Sequence, residues 1–376
     1  MKKNEIKKIP VFDISLGNEE KNFVNDCLDT SFIGQGSYVK NFEKNFSEFV
    51  NCKYGITTTS GTTALHLGLK TLGVSSGDEV LVSSSTNMAC AFSIIYCNAI
   101  PVPIDIETDT WQLNAKLIEK KITKKTKAIM VVHLFGQAVD MDPVMDLAKK
   151  YNLRVIEDCA EAHGVEYKGK KVGSIGDLGA FSFFSNKTIT CGEGGMVVTN
   201  SEDLAEKARG LKNLCYGKIN KFMHDDVGFN YRLPNISAAL GLAQLNKINE
   251  IFSQKKRIYE RYKKNLSNIK GLNIPKINSH TTKYIMWVFN VYLDNNFKMG
   301  RDELVKKLKD LNIDTRDAFV PINKQKILQK SYNINDSDCP NANYIMENGF
   351  YLPSGNTLTD EEIDYVSNQV IKLGKN

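Results

Sequence analysis

The chain has 376 residues, of which 42% are hydrophobic and 24% charged. That balance excludes a disordered protein, which lacks the apolar content to offset chain entropy, and the length exceeds the roughly 250–300 residues at which single cores stop growing. Two domains are expected, a large one over 1–250 and a smaller one over 251–376. The net charge of +6 is spread along the chain, and no zinc-finger spacing or aromatic-basic interleaving accompanies it. Nucleic acid is therefore not an expected partner.

The basic start runs into Asp13, Glu19 and Glu20 without an apolar core segment, so no signal peptide is expected. No run approaches the roughly 20 apolar residues that span a bilayer. Eight cysteines without metal-ligand spacing read as free thiols of a reducing compartment. The expectation is a cytoplasmic protein with no membrane partner.

In chain order, a Ser/Gly/Thr cluster precedes a helix pattern over Ala64 to Leu72, and a short strand, Glu79 to Ser83, follows the Gly77-Asp78 turn. A helix pattern from Met88 to Asn98 leads to a strand over Val102 to Ile106, then a helix over Leu113 to Lys121 and a strand over Ala128 to His133. Asp140 to Tyr151 is the next helix and Arg154 to Glu157 the next strand. Strands hydrophobic on both faces, alternating with helices, predict a mostly parallel sheet covered by helices. Ligands in such sheets bind beyond the carboxyl ends of the strands, which puts His133 and Asp158 on the functional rim.

The Phe181, Phe183, Phe184 run and the Gly192 to Gly195 turn read as strand, polar loop, strand. Helical periodicity returns over Ser201 to Leu214 and Asn235 to Asn249, and a polar helix over Ile251 to Leu266 leads away from the core. Beyond it, strands such as Trp287 to Tyr292 alternate with helices such as Arg301 to Leu308.

Several residues can carry chemistry. Asp158, at a strand end, is either a helix N-cap or turn aspartate or an anion suited to keeping a cofactor's pyridine nitrogen protonated. Glu161 and His163 follow it as candidates either to support the cofactor contacts from behind or to face the substrate. Lys187 is either a surface lysine or, between three phenylalanines and a glycine turn, a desolvated amine with a lowered pKa, nucleophilic toward an aldehyde. Ser60 to Ala64 is either an ordinary cap or a phosphate seat at a helix N-terminus. His133 is either a stacking partner or a core polar group. The five histidines and the cysteines form no chelating pattern, so no metal is expected, and no Gly-x-Ser-x-Gly elbow supports a serine hydrolase.

The ordered set Gly61-Thr62-Thr63-Ala64, Glu157 to Gly164, Phe181-Ser182-Phe183, Lys187, Gly192 to Gly195, Gly228 to Arg232 and Tyr351 to Ser354 resembles the DegT/DnrJ/EryC1/StrS sugar aminotransferases over nearly the full length. The resemblance implies an α/β, fold-type I pyridoxal-phosphate aminotransferase architecture, like that of aspartate aminotransferase, with a large mostly parallel sheet domain and a smaller C-terminal α/β domain. It implies pyridoxal 5'-phosphate as cofactor, Lys187 as its Schiff-base lysine and Asp158 as partner of the pyridine nitrogen. Gly61, Thr62 and Ser182 would hold the phosphate, with Glu161 at the cofactor's outer edge. An asparagine matching Asn230 reaches the phosphate from the neighbouring subunit, which implies a homodimer with shared active sites.

The implied reaction moves an amino group from L-glutamate to a phosphate-bearing keto substrate. Lysine rather than histidine at position 187 favours transfer over dehydration by the same cofactor. The general layout is nearest to enzymes that aminate C4 of GDP-4-keto-6-deoxy-mannose for surface polysaccharide. Departures occur at Asn87, where an aromatic residue is usual, and at Val320-Pro321-Ile322-Asn323, which lacks two histidines. A UDP- or dTDP-linked keto sugar or a small phosphorylated ketone is the alternative substrate. A sugar dehydratase and a non-enzymatic regulatory protein are the alternative activities. Asn87, His163 and Arg316 are the candidate substrate contacts.

Overall fold

The computed structural model describes residues 8–217, 219–220 and 222–375. Its first strands are β1 (Tyr54–Thr58), β2 (Glu79–Ser83), β3 (Ile100–Ile104), β4 (Thr126–Val132) and β5 (Arg154–Asp158). A small hairpin, β6 (Glu166–Tyr167) and β7 (Lys170–Lys171), precedes β8 (Leu178–Ser182) and β9 (Gly195–Thr199). Seven of these build one sheet in the order β1-β9-β8-β5-β4-β2-β3. The run from β3 to β8 is parallel, and β9 is antiparallel to both neighbours. Helices α1 (Asn18–Asp29), α2 (Ser37–Phe49), α3 (Gly61–Thr71), α4 (Met88–Tyr96), α5 (Met141–Tyr151), α6 (Glu202–Lys212) and α7 (Asn235–Asn246) accompany it. The mostly parallel, helix-covered sheet is what the alternating pattern predicts, and the whole is the fold-type I aminotransferase architecture that the resemblance implies.

Side-chain alternation along the strands decides what each face holds. Met130, Val132, Ile156 and Ala180 pack with Ala64 and Leu65 of α3 and Cys90 of α4. Ile129, Val131, Val155 and Phe181 pack on the other side with Phe42 and Phe46 of α2 and Val144 of α5. Asp158 therefore shares a face with Ile156, whereas Glu157 shares one with Val155.

Helix α8 (Ile248–Leu266) follows α7, and β10 (Leu272–Asn273), β12 (Phe289–Leu293), β13 (Arg316–Asp317) and β14 (Gly349–Leu352) form a second, antiparallel sheet in the order β10-β12-β14-β13. Between β10 and β12 in sequence, β11 (Thr281–Lys283) pairs instead with β6. The sequence suggests that α8 leaves the core. In fact Ile251, Phe252, Ile258, Tyr262 and Leu266 are buried, and so is Lys255.

The expected helix over Leu113 to Lys121 is instead two three-residue 3-10 turns, Ala115–Leu117 and Glu119–Lys121. Leu113, Ala115 and Ile118 are buried there, too few anchors to hold a marginal short helix. The Asn114 side chain accepts from Lys116 N–H and fixes the first turn.

After β4 the chain turns through Phe135 at φ 54°, ψ 28° and Gly136 at φ +90°. A Cβ on Gly136 would lie 1.9 Å from the Ile285 carbonyl oxygen, so close approach and left-handed backbone both require glycine. The turn presses the rim of the large sheet against the segment before β12.

Candidate active site

A cavity of about 400 Å³ opens at the carboxyl ends of β4, β5 and β8. Val132, Asp158, Ala180 and Ser182 line it because all four fall on the α3/α4 face of the sheet. The start of α3 contributes Ser60, Gly61 and Thr62, the start of α4 contributes Asn87, and the loop after β8 contributes Asn186 and Lys187. Trp287, Phe319 and Tyr351 come from distant sequence and close the wall.

Ser60 caps α3, its hydroxyl accepting from Thr63 N–H at 3.2 Å. The first-turn N–H groups that follow have no partner within a helix, and Gly61 and Thr62 face the cavity. A Cβ on Gly61 would lie 2.6 Å from Ser182 Cβ. Glycine is thus what lets the helix start meet the Ser182 hydroxyl. Small residues, hydroxyls and a helix N-terminus converge on one spot, the arrangement that binds phosphate.

Asp158 is 6% exposed. Its Oδ1 accepts from Ala160 N–H at 2.9 Å and its Oδ2 from the Cys90 thiol at 3.0 Å. Burial, then the neighbouring Asp158 carboxylate, pushes the Cys90 thiol well above its ordinary range, so Cys90 stays a donor. The turn role and the anion role proposed for Asp158 coexist, since Oδ1 serves the turn.

The Lys187 amine lies 3.3 Å from Glu161 Oε1 and 4.1 Å from the Trp287 ring centroid. The indole N–H in turn donates to the Asn186 carbonyl at 2.8 Å. Glu161 accepts from Phe135 N–H at 3.2 Å, which gives the left-handed Phe135 a functional consequence. Burial raises the Glu161 carboxyl to about 6, with Lys187 and the Phe135 N–H working against the rise. Phe135 stacks between Trp287, at 5.9 Å, and Phe319, at 5.8 Å. This aromatic stack backs the amine and excludes water from one side of it.

Gly61, Thr62, Asn87, Asp158, Glu161, Ser182 and Lys187 all line the cavity. Asn87 is the N-cap of α4, its side chain accepting from Ala89 N–H at 2.9 Å, which gives a local reason for asparagine where an aromatic residue is usual. His163 is not part of the lining, and the substrate-facing role suggested for it is corrected. It is fully buried on the opposite face, boxed by Phe46, Phe181 and Phe183. Burial, then Lys187, holds its ring near 3 and uncharged.

His133 is likewise a core group. Its Nδ1 accepts from Val139 N–H at 3.1 Å, so Nε2 carries the proton and donates to Glu157 at 3.0 Å. Glu157 also accepts from the N–H groups of Gly173, Ile175 and Gly176. The side-chain donor atoms of His133, Glu157 and Cys159 lie within 4.8 Å of one another, a grouping invisible in their spacing. The histidine and carboxylate atoms are committed to these hydrogen bonds.

Arg316 sits at the rim. Its guanidinium is held by the Asp314 carboxylate and the Thr315 carbonyl, both at 2.9 Å, while its backbone pairs with Tyr351. Asn230 is exposed and outside the cavity of its own chain. Trp287, Phe319 and Tyr351 were not singled out individually by sequence. Tyr351 opens one of the quoted motifs, but only folding brings the other two rings to Lys187.

The residues present fit pyridoxal phosphate: one amine for its aldehyde, one buried carboxylate for its pyridine nitrogen, and a helix start with hydroxyls for its phosphate. Residues 15–371 match the model of the DegT/DnrJ/EryC1/StrS aminotransferase family. The chain is 41% identical to a GDP-perosamine synthase of Escherichia coli O157:H7 over 97% of this chain and 98% of that protein. It superposes on the crystal structure of S. venezuelae DesV with a TM-score of 0.92 and 30% identity, covering 99% of this chain and all of the other. It also superposes on the PLP form of Spr1654, a candidate sugar aminotransferase of Streptococcus pneumoniae, with a TM-score of 0.92 and 25% identity over 98% of this chain and 99% of that one. Among the described residues, no helix is long and apolar enough to cross a membrane. By fold, by site and by the match across almost its whole length, the chain belongs to the DegT/DnrJ/EryC1/StrS aminotransferase family.

Proposed function

We propose that the protein is a pyridoxal-phosphate-dependent aminotransferase that aminates the keto group of a nucleotide-linked keto-deoxy sugar, GDP-4-keto-6-deoxy-mannose in first place, with L-glutamate as amino donor. The observation that carries this reading is the convergence of Lys187, Asp158 and the α3 start on one cavity. The 41% identity to a GDP-perosamine synthase supports the sugar.

When bound, pyridoxal phosphate supplies an aldehyde carbon and a ring that takes up the electrons of a broken C–H bond. Gly61 and Thr62 N–H groups and the Ser182 hydroxyl would hold its phosphate. Asp158 would keep a proton on the ring nitrogen, with the Cys90 thiol fixing one of its carboxylate oxygens. The Lys187 amine would hold the aldehyde carbon and, when free, would move the donor's α-proton as base and acid. Glu161 stands 3.3 Å from that amine and keeps it oriented while free. Trp287 and Phe319 wall the reaction from solvent.

In this reading Asn230 serves the phosphate site of a second copy. Its exposure, and the exposed Ile219, Phe222, Met223 and Val227 nearby in sequence, support a homodimer that covers this stretch. Arg316 faces the substrate's acidic end from the rim once it releases Asp314.

A panel of GDP-, UDP- and dTDP-linked 4-keto-6-deoxy sugars and small phosphorylated ketones, each with glutamate, tests the substrate by mass spectrometry. The expected outcome is an amino sugar from the GDP-linked substrate at the highest rate. Amination of the small ketones alone would defeat the nucleotide-sugar reading.

A further inference from the structure

Lys255 is the one buried cation in α8 that the mechanism above does not use. It is 4% exposed, and burial alone lowers its amine to about 7. Its Nζ donates to the carbonyls of Trp287, at 2.9 Å, and Ser354, at 2.7 Å. Nothing in its packing requires a charge, because both acceptors are neutral. A methionine would fill the same volume without the cost of desolvating an amine, so the donors are the reason for a lysine here.

Both acceptors lead to the site. Trp287 carries the ring under the Lys187 amine and ties Asn186 through its indole N–H. Ser354 accepts from Phe289 N–H at 2.9 Å and donates to the Leu352 carbonyl at 2.7 Å, next to the cavity-lining Tyr351. Lys255 and Lys187 also line a common small cavity with Asn186, Thr188 and Asn356. Asn186 Oδ1, Thr188 Oγ1 and Asn356 Oδ1 are buried there without a protein partner. Its volume of about 10 Å³ is the room one water needs. The floor under Lys187 is thus a polar layer to which Lys255 brings a fully buried amine.

We propose that Lys255 is a positioning residue which, through the Trp287 carbonyl, sets the indole ring and the Asn186–Thr188 segment that present the Lys187 amine. The proposal rests on the reading of Lys187 as the cofactor lysine for its functional consequence, but not for its structural one. With the carbonyl released, the ring no longer holds the Lys187 amine in place, and covalent uptake of pyridoxal phosphate weakens.

Two readouts separate these levels. The chain has two tryptophans, so indole N–H spectra of cofactor-free protein show Trp287 beside an internal control, Trp111, with Trp287→Phe giving the assignment. Lys255→Met is expected to move the Trp287 resonance and leave that of Trp111 in place. The pyridoxal phosphate concentration for half-maximal covalent uptake is expected to rise by roughly threefold, with no further rise when Lys255→Met is added to Trp287→Phe. Should Lys255→Met fail to fold, Lys255→Gln, which keeps one donor group, is read for smaller changes in the same directions. Unmoved Trp287, equal movement of both resonances, or additive losses of uptake would overturn the proposal. If the wild type takes up no pyridoxal phosphate, the cofactor reading fails and the indole spectra alone decide the role of Lys255.

Discussion

Replacing Lys187 with alanine will abolish transfer, lowering turnover by about 10⁴-fold or more, the upper range for removing a positioned acid–base group. The size follows from two roles on one nitrogen. Lys187 is the one amine lining the cavity among the described residues, so no neighbour can take the aldehyde carbon in its place. Glu161, 3.3 Å away, cannot form that bond, and burial raises its carboxyl to about 6. Borohydride reduction followed by peptide mass mapping should place the cofactor on the Lys187 peptide in the wild type and nowhere in the variant. Retained turnover at the wild-type rate in Lys187→Ala would defeat the assignment.

The second large effect is expected at Asp158. Asparagine keeps an oxygen that can accept from Ala160 N–H or Cys90, so the turn after β5 should survive. What is lost is the charge that keeps the ring nitrogen protonated, and removal of one preorganised electrostatic partner costs on the order of 10²–10³ in turnover. The loss should fall on the rate constant for turnover rather than on the Michaelis constant for the keto substrate, because Asp158 is buried at the end of β5, where it would meet the ring nitrogen and not the substrate. Steady-state kinetics of Asp158→Asn with correctly folded protein measure this directly. Unchanged turnover, or a loss confined to substrate affinity, would show that the carboxylate only shapes the turn.

Much of this site is legible in the sequence because its parts are local. Asp158 ends an apolar strand, Gly61 and Thr62 open a helix, and Lys187 sits beside a glycine turn. Each is a feature of a few consecutive residues, and the parallel sheet gathers their strand ends on one edge. The failures share a different cause. His163 is close in sequence to Glu161, which lines the cavity, but its side chain belongs to the opposite face, and only tertiary packing shows that Phe46, Phe181 and Phe183 claim its ring, just as only packing selects the core reading of His133. The Trp287 and Phe319 wall depends on contacts across more than a hundred residues, enforced by the Gly136 turn against Ile285. Local periodicity carries no trace of it. Helix α8 shows the same limit: its charges suggest exposure, yet the buried stripe and Lys255 make it a floor of the structure.

The arrangement also explains why Asn87 need not impair cofactor binding. As the N-cap of α4 it fixes the helix start that delivers Cys90 to Asp158, and aromatic surface is supplied elsewhere, by Trp287, Phe319 and Tyr351. In the Val320–Asn323 segment, Val320 is exposed and the Ile322 N–H bonds the Ser84 carbonyl at 2.9 Å.

The central claim, that Lys187 and Asp158 hold pyridoxal phosphate for amino transfer, is tested most directly by adding glutamate alone to cofactor-loaded protein. The account predicts loss of the visible absorbance with release of one 2-oxoglutarate per active site, and recovery of the absorbance when a keto substrate is added. An unchanged spectrum with glutamate and with every other amino donor, in protein that has bound the cofactor, would contradict it.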